Sequence, residues 1–593
     1  MNTECSESQI SSELFHSEDS IDLITGAEAV VRALLLEGVN TIFGYPGGAI
    51  MPFYDALYYA KDKIRHILVR HEQGAAHAAE GYAHASGKTG VCIATSGPGA
   101  TNLVTGIADA MMDSVPMVCI TGQVFSTLLG TDAFQETDVI GITIPITKWN
   151  YQITRAEEIP EILRKAFYIA RSGRPGPVLV DITKDAQLGI CNWKVPASSG
   201  SCGRHFNSLL PKLNYSNDSL LNLEAFRRAA ELIDSAKKPL VLAGHGIILG
   251  EAEKALLDFA EHTGIPVACT LLGLSSFPTA HPLYAGMLGM HGNYAPNILT
   301  NEADVIIAVG MRFDDRVTGR LKDYARQAKI IHIEVDPAEI GKNVLPAVSI
   351  LSDAKKALEI LYNYTRTNSH PEWLSRFREA DIEEHEEVIK NTILPSSVGI
   401  SMGEAINTLS EVTLGESIIV ADVGQHQMMA ARYYKFKNSK SYITSGGLGT
   451  MGFALPAAMG AKIAVPDRSV IAVIGDGCIQ MTIQELATIS QEKIPVKIIV
   501  LNNNFLGMVR QWQELFFERR YSFVEMENPD YVMLCKGFRI SAERVSDREE
   551  LVGAYSRMMN HDGPYFLEIM VEKEQNVFPM IESGAAVNEI RLR

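Results

Sequence analysis

The sequence predicts an α/β protein made of three doubly wound domains with parallel sheets. Short apolar runs rich in β-branched residues alternate with helical patterns along most of the chain. This alternation is typical of parallel strands with helices on both faces of the sheet. A chain of 593 residues is also too long for a single hydrophobic core. We therefore expect three α/β segments, separated by stretches of different composition.

Changes in composition place the boundaries. We predict a disordered extension over 1–20, a first domain over 21–186, a linker over 187–219, a middle domain over 220–368, a linker helix over 369–394, a third domain over 395–574 and a tail over 575–593. Strands are predicted in the first domain at 64–69, 91–95, 117–121 and 178–181, and in the middle domain at 239–243, 266–270, 305–309 and 330–335. The helix over 376–390 is dense in Glu, Asp and Arg, so we expect it to be solvated.

Composition excludes several classes of protein. The formal net charge of −17 argues against a nucleic-acid partner, which needs basic patches. No apolar run approaches the roughly 18 residues that a membrane helix requires, so we expect no membrane association. The eight cysteines form no C-x-x-C pair, which indicates reduced thiols and a cytoplasmic location. Residues 1–20 contain no Lys or Arg, unlike a secretory signal or a transit peptide.

One strand-end motif carries the most chemical information. Gly475-Asp476-Gly477 follows an apolar run, a helix is predicted over 482–493, and a second apolar run at 497–501 leads to Asn503. Parallel strands joined by a crossover helix bring Asp476 and Asn503 to the carboxyl edge of the sheet, where ligands bind. One carboxylate and one amide suit Mg²⁺ that also binds a phosphate. The tripeptide alone fits an ordinary turn, but with its spacing and context it predicts a thiamine diphosphate site.

A glutamate in the first domain is the candidate catalytic group. Glu72 follows the predicted strand 64–69 and opens an Ala-rich helix that extends to about Ala85. The alternative is a first-turn glutamate that only complements the helix dipole. Beside a thiamine cofactor, Glu72 would hydrogen-bond the aminopyrimidine ring and assist loss of the thiazolium C2 proton. We then expect an apolar pocket around this carboxyl group.

Two glycine-rich stretches are candidate ligand loops. Residues 95–102 lie between a strand and a helix, and residues 445–452 form a similar stretch in the third domain. Glycines allow a backbone to wrap closely around a ligand. Met451 is either core filler or an apolar support that keeps a bent cofactor in shape.

The middle domain shows signs of a nucleotide site. A small-residue turn lies at 288–292, a segment with two arginines follows the strand 305–309, and Asp336 ends the strand 330–335. Arginines at a strand end neutralise diphosphates and an acidic residue holds a ribose hydroxyl, although a surface ion-pair cluster is equally compatible. Gly244-His245-Gly246 begins like a dinucleotide fingerprint, but Gly250 is one position late, so an NAD site is not supported.

Taken together, these motifs resemble the catalytic subunits of the acetohydroxyacid synthase (acetolactate synthase) family over about residues 25–580. The matching strings lie at 43–49, 70–74, 95–102, 132–136, 173–177, 288–292, 312–316, 424–428, 475–477 and 507–512. Strings at the pyrimidine and diphosphate sites are shared with related thiamine enzymes. Phe134-Gln135, 313–316 and Gln511-Trp512 are more specific to the synthases.

The resemblance implies an activity and its cofactors. Members of the family use thiamine diphosphate, Mg²⁺ and a structural FAD. They decarboxylate pyruvate to a hydroxyethyl carbanion, which adds to pyruvate to give acetolactate or to 2-ketobutyrate to give acetohydroxybutyrate, for the biosynthesis of branched-chain amino acids. A thiamine- and flavin-dependent pyruvate oxidase, or a decarboxylase, is the alternative enzyme, but it does not predict Gln511-Trp512. A catalytically silent nucleotide-binding or scaffold protein is disfavoured because Glu72, Asp476 and Asn503 are all present.

The resemblance also assigns roles to individual residues. It implies that Glu72 activates the cofactor, that Gly48, Gln135 and Lys184 belong to the catalytic pocket, and that Asp476, Asn503 and the backbone of Phe505 hold Mg²⁺. The implied thiamine diphosphate contacts are Glu72, Val423, Gly424, Gln425, His426, Met451, Gly475, Gly477 and Met508. The implied flavin contacts are Arg174, Leu288, Gly289, Met290, His291, Gly292, Gly310, Arg312, Asp314, Arg316 and Asp336. The implied substrate contacts are Ala49, Met508 and Trp512, and Trp512 matches the residue that favours 2-ketobutyrate.

The implied partners are small 2-ketoacids and further protein chains. In this family each cofactor lies between the first and third domains of different subunits, so the resemblance implies a homodimer or homotetramer with Glu72 and Asp476 from opposite chains. A separate small regulatory subunit is also implied. Phe125 stands where the family usually has proline, at the mouth of the substrate channel.

Overall fold

The computed structural model describes residues 22–193 and 222–593, and these fold into three α/β domains. Each domain is built on a six-stranded sheet in which every strand pair is parallel. Most strands are buried along their whole length, as expected for sheets covered by helices on both faces. The predicted fold class is confirmed. The predicted extension 1–20 and the linker residues 194–219 lie outside the described residues.

The first domain carries the predicted catalytic glutamate at the start of its third helix. From edge to edge its sheet contains Arg65–Leu68, Thr41–Gly44, Gly90–Ala94, Met117–Gln123, Pro177–Thr183 and Trp149–Ile153. Its α-helices are Gly26–Leu36, Met51–Tyr58, Glu72–Ser86, Pro98–Thr101, Val104–Asp113, Val139–Thr143, Ile159–Arg171 and Lys184–Leu188. His71 caps the helix Glu72–Ser86 by accepting a hydrogen bond from the amide of Gln73.

The middle domain follows the same plan. Its sheet contains Tyr284–Met287, Val267–Cys269, Pro239–Ala243, Val305–Val309, Lys329–Glu334 and Val348–Leu351. Its α-helices are Leu223–Ser235, His245–Leu249, Glu253–Thr263, Tyr294–Thr300, Asp315–Thr318 and Ala354–Tyr364. Two of the predicted strands, Pro239–Ala243 and Val305–Val309, have the predicted bounds.

The third domain contains the predicted strand–helix–strand unit. Its sheet contains Tyr442–Thr444, Ile418–Ala421, Val470–Gly475, Lys497–Asn502, Tyr565–Met570 and Ser541–Val545. Its α-helices are Met402–Thr413, Gln425–Tyr433, Ala454–Ala464, Asp476–Thr482, Glu485–Gln491, Gly507–Phe516, Tyr531–Gly537 and Leu551–Asn560. Gly475 pairs with Leu501 in parallel register, so the two strands end together.

The single helix predicted over 482–493 is wrong. The chain forms Asp476–Thr482 and then Glu485–Gln491. Contacts to distant residues explain the break. The Thr482 hydroxyl donates to the Gly452 carbonyl, and the Glu485 carboxylate accepts from the first-domain amides of Arg70 and His71. Such long-range contacts cannot be read from local periodicity.

The linker helix is more buried than predicted. It consists of Pro371–Glu384, a wider turn over His385–Ile389 and a final turn over Lys390–Ile393. Its Glu384 is fully buried and forms an ion pair with Arg432, the last basic residue of the helix Gln425–Tyr433. The expectation of a solvated helix is therefore wrong for this face, because one of its acidic residues has a buried cationic partner.

Chain segments at both ends of the described ranges pair in antiparallel ribbons. Asp22–Thr25 pairs with Ile190–Trp193, a strand that lies inside the predicted linker. Met580–Ile581 pairs with Ile590–Arg591 in the tail. The tail packs on the middle domain, where Ile581 donates its amide to the Met290 carbonyl over 2.8 Å.

First and third domains of the same chain are in direct backbone contact. The helices Glu72–Ser86 and Ala454–Ala464 cross with almost no space between them, since a Cβ on Gly460 would lie 1.8 Å from the Ala78 carbonyl oxygen. Glycine is required there for the close approach. Among the described helices, none is both long and apolar enough to cross a membrane.

Candidate functional site

Asp476 and Asn503 lie side by side at the carboxyl ends of neighbouring strands. Both are 2 % exposed, and Phe505, which follows them, is also buried. Burial raises the pKa of the Asp476 carboxyl to about 6, although hydrogen bonds from Asn528 and backbone amides oppose this shift. The Asn528 side chain donates to Asp476 Oδ2 over 2.7 Å and so fixes the carboxylate. A buried carboxylate and amide with one orientation suit a hard cation.

Helix Gln425–Tyr433 begins next to this pair. A Cβ on Gly475 would lie 2.6 Å from the His426 ring, so this glycine lets the strand end approach the imidazole. Burial lowers the pKa of His426 to about 3, which keeps the ring neutral. The buried atoms Gln425 Oε1, His426 Nε2 and Asn503 Nδ2 have no hydrogen-bond partner within the described parts of the chain. Three unpartnered buried polar atoms in one place fit a polar ligand.

A glycine-rich loop over 445–452 forms the opposite wall. Asp422 holds its end by accepting hydrogen bonds from the amides of Gly452 and Ala454, each over 2.9 Å. Met451 lies beside Gly477, where a Cβ would be 3.7 Å from the methionine methyl group. The loop therefore presents an apolar thioether next to the strand end that carries Asp476.

A cavity of about 890 Å³ connects the third domain to the middle domain. It brings together most of the residues that the sequence assigns to the two organic cofactors and to the substrate. Those that line it are Arg174, Leu288, Gly289, Met290, His291, Gly292, Gly310, Arg312, Asp314, Arg316, Val423, Gly424, Met451, Met508 and Trp512. One continuous cavity thus spans both proposed cofactor positions.

The helix Gly507–Phe516 supplies the aromatic wall of this cavity. Trp512 is half-buried and its ring lies 5.1 Å from that of Phe516. On the other face of the helix, Gln511 accepts a hydrogen bond from Gln425 Nε2 over 2.9 Å. The helix with the predicted substrate residue is therefore tied to the helix that begins at the diphosphate position.

The middle-domain end of the cavity is rich in charge. Arg312, Arg316 and Arg174 all reach it, and Asp314 caps the turn by accepting from the Arg316 amide. Asp336 does not line the cavity, and its carboxylate lies 3.8 Å from Arg174. Other acidic residues do line the cavity, among them Glu334 and Asp353.

Glycines shape the floor of this end. Gly310 has φ +59°, and a Cβ on it would lie 2.5 Å from the Gly246 Cα. Gly289 has φ +112° in the turn that carries Met290 and His291. Gly246 does not belong to a dinucleotide fingerprint. Instead, its lack of a side chain allows the segments that follow two neighbouring strands to pack closely.

A second group of predicted residues gathers around the loop 95–102 of the first domain. Asn102 Nδ2 donates to Glu72 Oε2 over 2.9 Å, and the Ala49 amide donates to Thr95 Oγ1 over 3.3 Å. A Cβ on Gly97 would lie 3.0 Å from the Gln135 Cα. Glu72 is half-buried, so this chain leaves part of the carboxylate open and does not enclose it in the expected apolar pocket.

Two further first-domain residues lie at the edge of this group. Gly48 is exposed with open space on its Cβ side. The Lys184 ammonium lies 5.9 Å from the centre of the Phe125 ring, a cation–π distance. Neither Glu72, Gly48, Ala49, Gln135 nor Lys184 lines the large cavity. Within one chain the group around loop 95–102 therefore does not border the cavity that carries Met451, Met508 and Trp512.

Comparison with known proteins identifies the family. Three thiamine pyrophosphate enzyme models match: the N-terminal TPP binding domain over 24–142, the central domain over 226–361 and the C-terminal TPP binding domain over 422–569. The acetolactate synthase large subunit of Corynebacterium glutamicum is 46% identical, with 96% of this chain and 90% of that protein covered. The isozyme 2 large subunit of Escherichia coli is 43% identical, covering 96% and 99%. The chain belongs to the acetolactate synthase family.

The likeness extends to plants. Acetolactate synthase 1, chloroplastic, of Nicotiana tabacum is 45% identical, with 95% of this chain and 84% of the tobacco protein covered. For an acetolactate synthase, a thiamine pyrophosphate site is expected at the two family domains that bind it. The unpartnered donor Asn503 Nδ2 and the unpartnered ring nitrogen of His426, beside the glycine-flanked Asp476, fit such a diphosphate.

Some residues that shape this acetolactate synthase site were not predicted from the sequence. Asn528 and Asp422 hold the carboxylate and the glycine-rich loop, and Glu334 and Asp353 reach the cavity. Asp353 follows the strand Val348–Leu351, so the strand-end rule that selected Asp336 offered a signal for it. Asn528 lies in an irregular loop, where no periodicity or motif points to it.

Proposed function

We propose that this chain is the catalytic subunit of an acetohydroxyacid synthase that decarboxylates pyruvate and joins the resulting two-carbon unit to a second 2-ketoacid. With pyruvate as acceptor the product is acetolactate, and with 2-ketobutyrate it is acetohydroxybutyrate, both precursors of branched-chain amino acids. The observation that carries this proposal is the 46% identity to an acetolactate synthase large subunit over 96% of the chain. The buried polar atoms at the third-domain strand ends also fit a diphosphate and a hard cation.

Mg²⁺ is proposed to bind Asp476, Asn503 and the backbone carbonyl of Phe505. The first two side chains are buried at adjacent strand ends, and Asn528 fixes the carboxylate. Too few protein ligands are present for a complete cage, so a diphosphate and water would complete the coordination. Gly424, Gln425 and His426 would hold that diphosphate at the start of their helix.

Bound thiamine diphosphate supplies the carbanion chemistry of the reaction. The chain contributes a proton-transfer group, for which we propose Glu72: its carboxyl oxygen would exchange a proton with the aminopyrimidine ring. Asn102 holds that carboxylate in place. Met451 would support the bent cofactor, and the apolar surface around Gly477 would keep water from the reacting carbon.

FAD is proposed to occupy the middle-domain end of the large cavity. Arg174, Arg312 and Arg316 provide cationic groups for its diphosphate, and the turn 288–292 provides small residues beside its rings. We expect Arg312→Gln to weaken FAD affinity about tenfold, because one charge-assisted contact to phosphate is lost. Titration followed by flavin fluorescence measures this. Arg227→Gln, on an exposed helix away from the cavity, is the control, and equal affinities in both variants would contradict the assignment.

Trp512 is proposed to favour 2-ketobutyrate over pyruvate as acceptor. Its indole lines the cavity as a flat apolar wall, which suits an acceptor with one extra methylene. That group is worth about 1–3 kcal/mol, so Trp512→Leu should lower the ratio of acetohydroxybutyrate to acetolactate roughly tenfold. Competition between the two acceptors measures the ratio. Phe517→Leu, at the exposed end of the same helix, should leave it unchanged. An unchanged ratio in Trp512→Leu would assign the indole to packing alone.

The active unit is proposed to be a homodimer, or a homotetramer built from such dimers. The two half-sites, around loop 95–102 and around Asp476, do not line one cavity in a single chain. A second copy would supply the missing half to each. A small regulatory subunit is proposed from the relatives named as large subunits. A cytoplasmic location is proposed from the six cysteines of the described ranges, all of which are free and buried.

Product analysis tests the proposed activity. The purified chain is given pyruvate and 2-ketobutyrate with thiamine diphosphate, Mg²⁺ and FAD, and the products are separated by chromatography. Acetohydroxybutyrate in excess over acetolactate supports the synthase. Acetaldehyde alone would identify a decarboxylase instead. Acetate formed with oxygen uptake would identify an oxidase.

A further inference from the structure

Asp113 contacts all three domains of the chain. It is the last residue of the first-domain helix Val104–Asp113 and is 3% exposed. Its backbone carbonyl is 3.0 Å from Nδ1 of His245, which begins a middle-domain helix. Its carboxylate faces the third domain.

The Asp113 carboxylate binds the start of the glycine-rich loop 445–452. Oδ2 accepts from the Gly446 amide and Oδ1 from the Gly447 amide, each over 2.7 Å. The two carboxylate oxygens thus accept hydrogen bonds from two successive backbone amides, and this geometry holds the backbone in one orientation. Hydrogen bonds to a charged acceptor are about twice as strong as neutral ones.

The same two glycines are packed against the other domains. A Cβ on Gly446 would lie 2.7 Å from Leu272 of the middle domain. A Cβ on Gly447 would lie 2.7 Å from Asp113 Oδ1 and 3.1 Å from Arg312 Nη2. The loop therefore runs through a narrow gap between the first-domain carboxylate and a cavity-lining arginine.

A second carboxylate of the same helix closes the loop. Asp109 Oδ1 accepts from the Ser445 hydroxyl over 2.6 Å, and that hydroxyl accepts from the Thr450 amide over 2.8 Å. The loop lines the cavity with 445–449 and Met451. Its far end faces Gly477, whereas its near end faces Arg312. One short loop consequently borders both proposed cofactor positions.

We infer that Asp113 is a positioning residue that holds the loop 445–452 in place between the two cofactor positions, so that neither cofactor has to order the loop when it binds. The inference rests on the proposed function, which places one cofactor at each end of the cavity. While Asp113 holds the loop, the two cofactors bind nearly independently. Once the loop is released, the first cofactor to bind must order it and the second then binds more tightly, by the same factor in either order.

Asp113→Asn tests the inference because it keeps the size of the side chain and one acceptor oxygen. Its amide group would face one of the two backbone N–H groups, so one hydrogen bond becomes a donor–donor contact. Asp304→Asn is the matched control. Asp304 also accepts from two successive amides, those of Lys237 and Lys238, at the opposite end of a middle-domain strand.

The measurement is a set of titrations on the full chain. Each protein is first titrated with thiamine diphosphate at fixed Mg²⁺, in the absence and in the presence of saturating FAD. It is then titrated with FAD, in the absence and in the presence of saturating thiamine diphosphate and Mg²⁺. Tryptophan and flavin fluorescence report binding, and thermal unfolding reports stability. We expect wild-type protein to bind each cofactor with nearly the same affinity whether or not the other is present. In Asp113→Asn the affinity for either cofactor alone should fall about tenfold, and most of this loss should be recovered when the other cofactor is already bound. Asp304→Asn should lose stability but keep the wild-type affinities for both cofactors.

Gly447→Ala perturbs the same contact from the loop side and guards against a folding defect in Asp113→Asn. Its methyl group would press on Asp113 Oδ1 and Arg312, so the loop is displaced and the same weaker, mutually dependent binding is expected. Wild-type affinities in both variants would overturn the inference, as would variants that bind each cofactor more weakly whether or not the other is present. A wild-type chain that binds neither cofactor would contradict the proposed function itself, and the inference would fall with it.

Discussion

Replacing Glu72 with glutamine is expected to lower the turnover number by about 10²–10⁴-fold, the range typical for removal of a proton-transfer group. Glutamine keeps the length of the side chain and an oxygen that can accept from Asn102. It cannot exchange a proton with the aminopyrimidine ring. The affinity for thiamine diphosphate should therefore stay within a few-fold of wild type while the rate falls.

The competing explanation of Glu72 is a helix-dipole contact. Glu72 occupies the first turn of Glu72–Ser86, where a carboxylate contributes about 0.3–1 kcal/mol to stability. In that case glutamine would lower the free energy of unfolding slightly and leave turnover almost unchanged. Glu28→Gln provides the matched control, since Glu28 occupies the first turn of Gly26–Leu36 in the same domain.

Steady-state kinetics and cofactor titration separate these explanations. A fall in kcat in Glu72→Gln, with binding retained and Glu28→Gln unaffected, supports the proton-transfer role. Near-normal turnover in Glu72→Gln would remove Glu72 from the mechanism. A loss of cofactor binding equal to the loss of rate would make it a binding residue instead.

The sequence predicts much of the fold because parallel strands are encoded locally. The runs at 239–243 and 305–309 are wholly buried, so continuous apolar stretches mark them at their true bounds. Strand ends then predict the site, since parallel strands that end together bring Asp476 and Asn503 to the same edge. Strands and the turns that follow them can therefore be predicted from the sequence, because both are determined by neighbouring residues.

Features that depend on contacts between domains are not recoverable in this way. Glu384 looks like a solvated residue in its own helix, but Arg432 and the start of the helix Tyr294–Thr300 supply buried partners for it. The helix break after Thr482 follows from a contact to Gly452, and Asp113 looks like an ordinary helix-end acid. Each of these is decided by a partner far along the chain, for which one sequence carries no signal.

Replacing Asp476 with alanine should weaken Mg²⁺-dependent binding of thiamine diphosphate by at least about a hundredfold, because the only proposed carboxylate ligand is lost. Activity should disappear with it. Asp467→Ala is the control: that residue is exposed and lies before the opposite end of the strand Val470–Gly475. Titration of thiamine diphosphate at fixed Mg²⁺ measures the effect. Unchanged binding in Asp476→Ala would refute the metal assignment.

The two inactive variants together reveal how the half-sites are shared. Glu72→Gln and Asp476→Ala chains, carrying different affinity tags, are co-expressed and the mixed dimers are isolated with both tags in turn. If each site combines Glu72 of one chain with Asp476 of the other, one site of the mixed dimer contains both changes and the second contains neither. Mixed dimers should then recover about half of the wild-type activity. If both residues of a site belonged to one chain, every site would carry one of the two changes and the mixed dimers would stay inactive. The expected recovery rests on the proposed homodimer, in which Glu72 of one chain completes the site around Asp476 of the other.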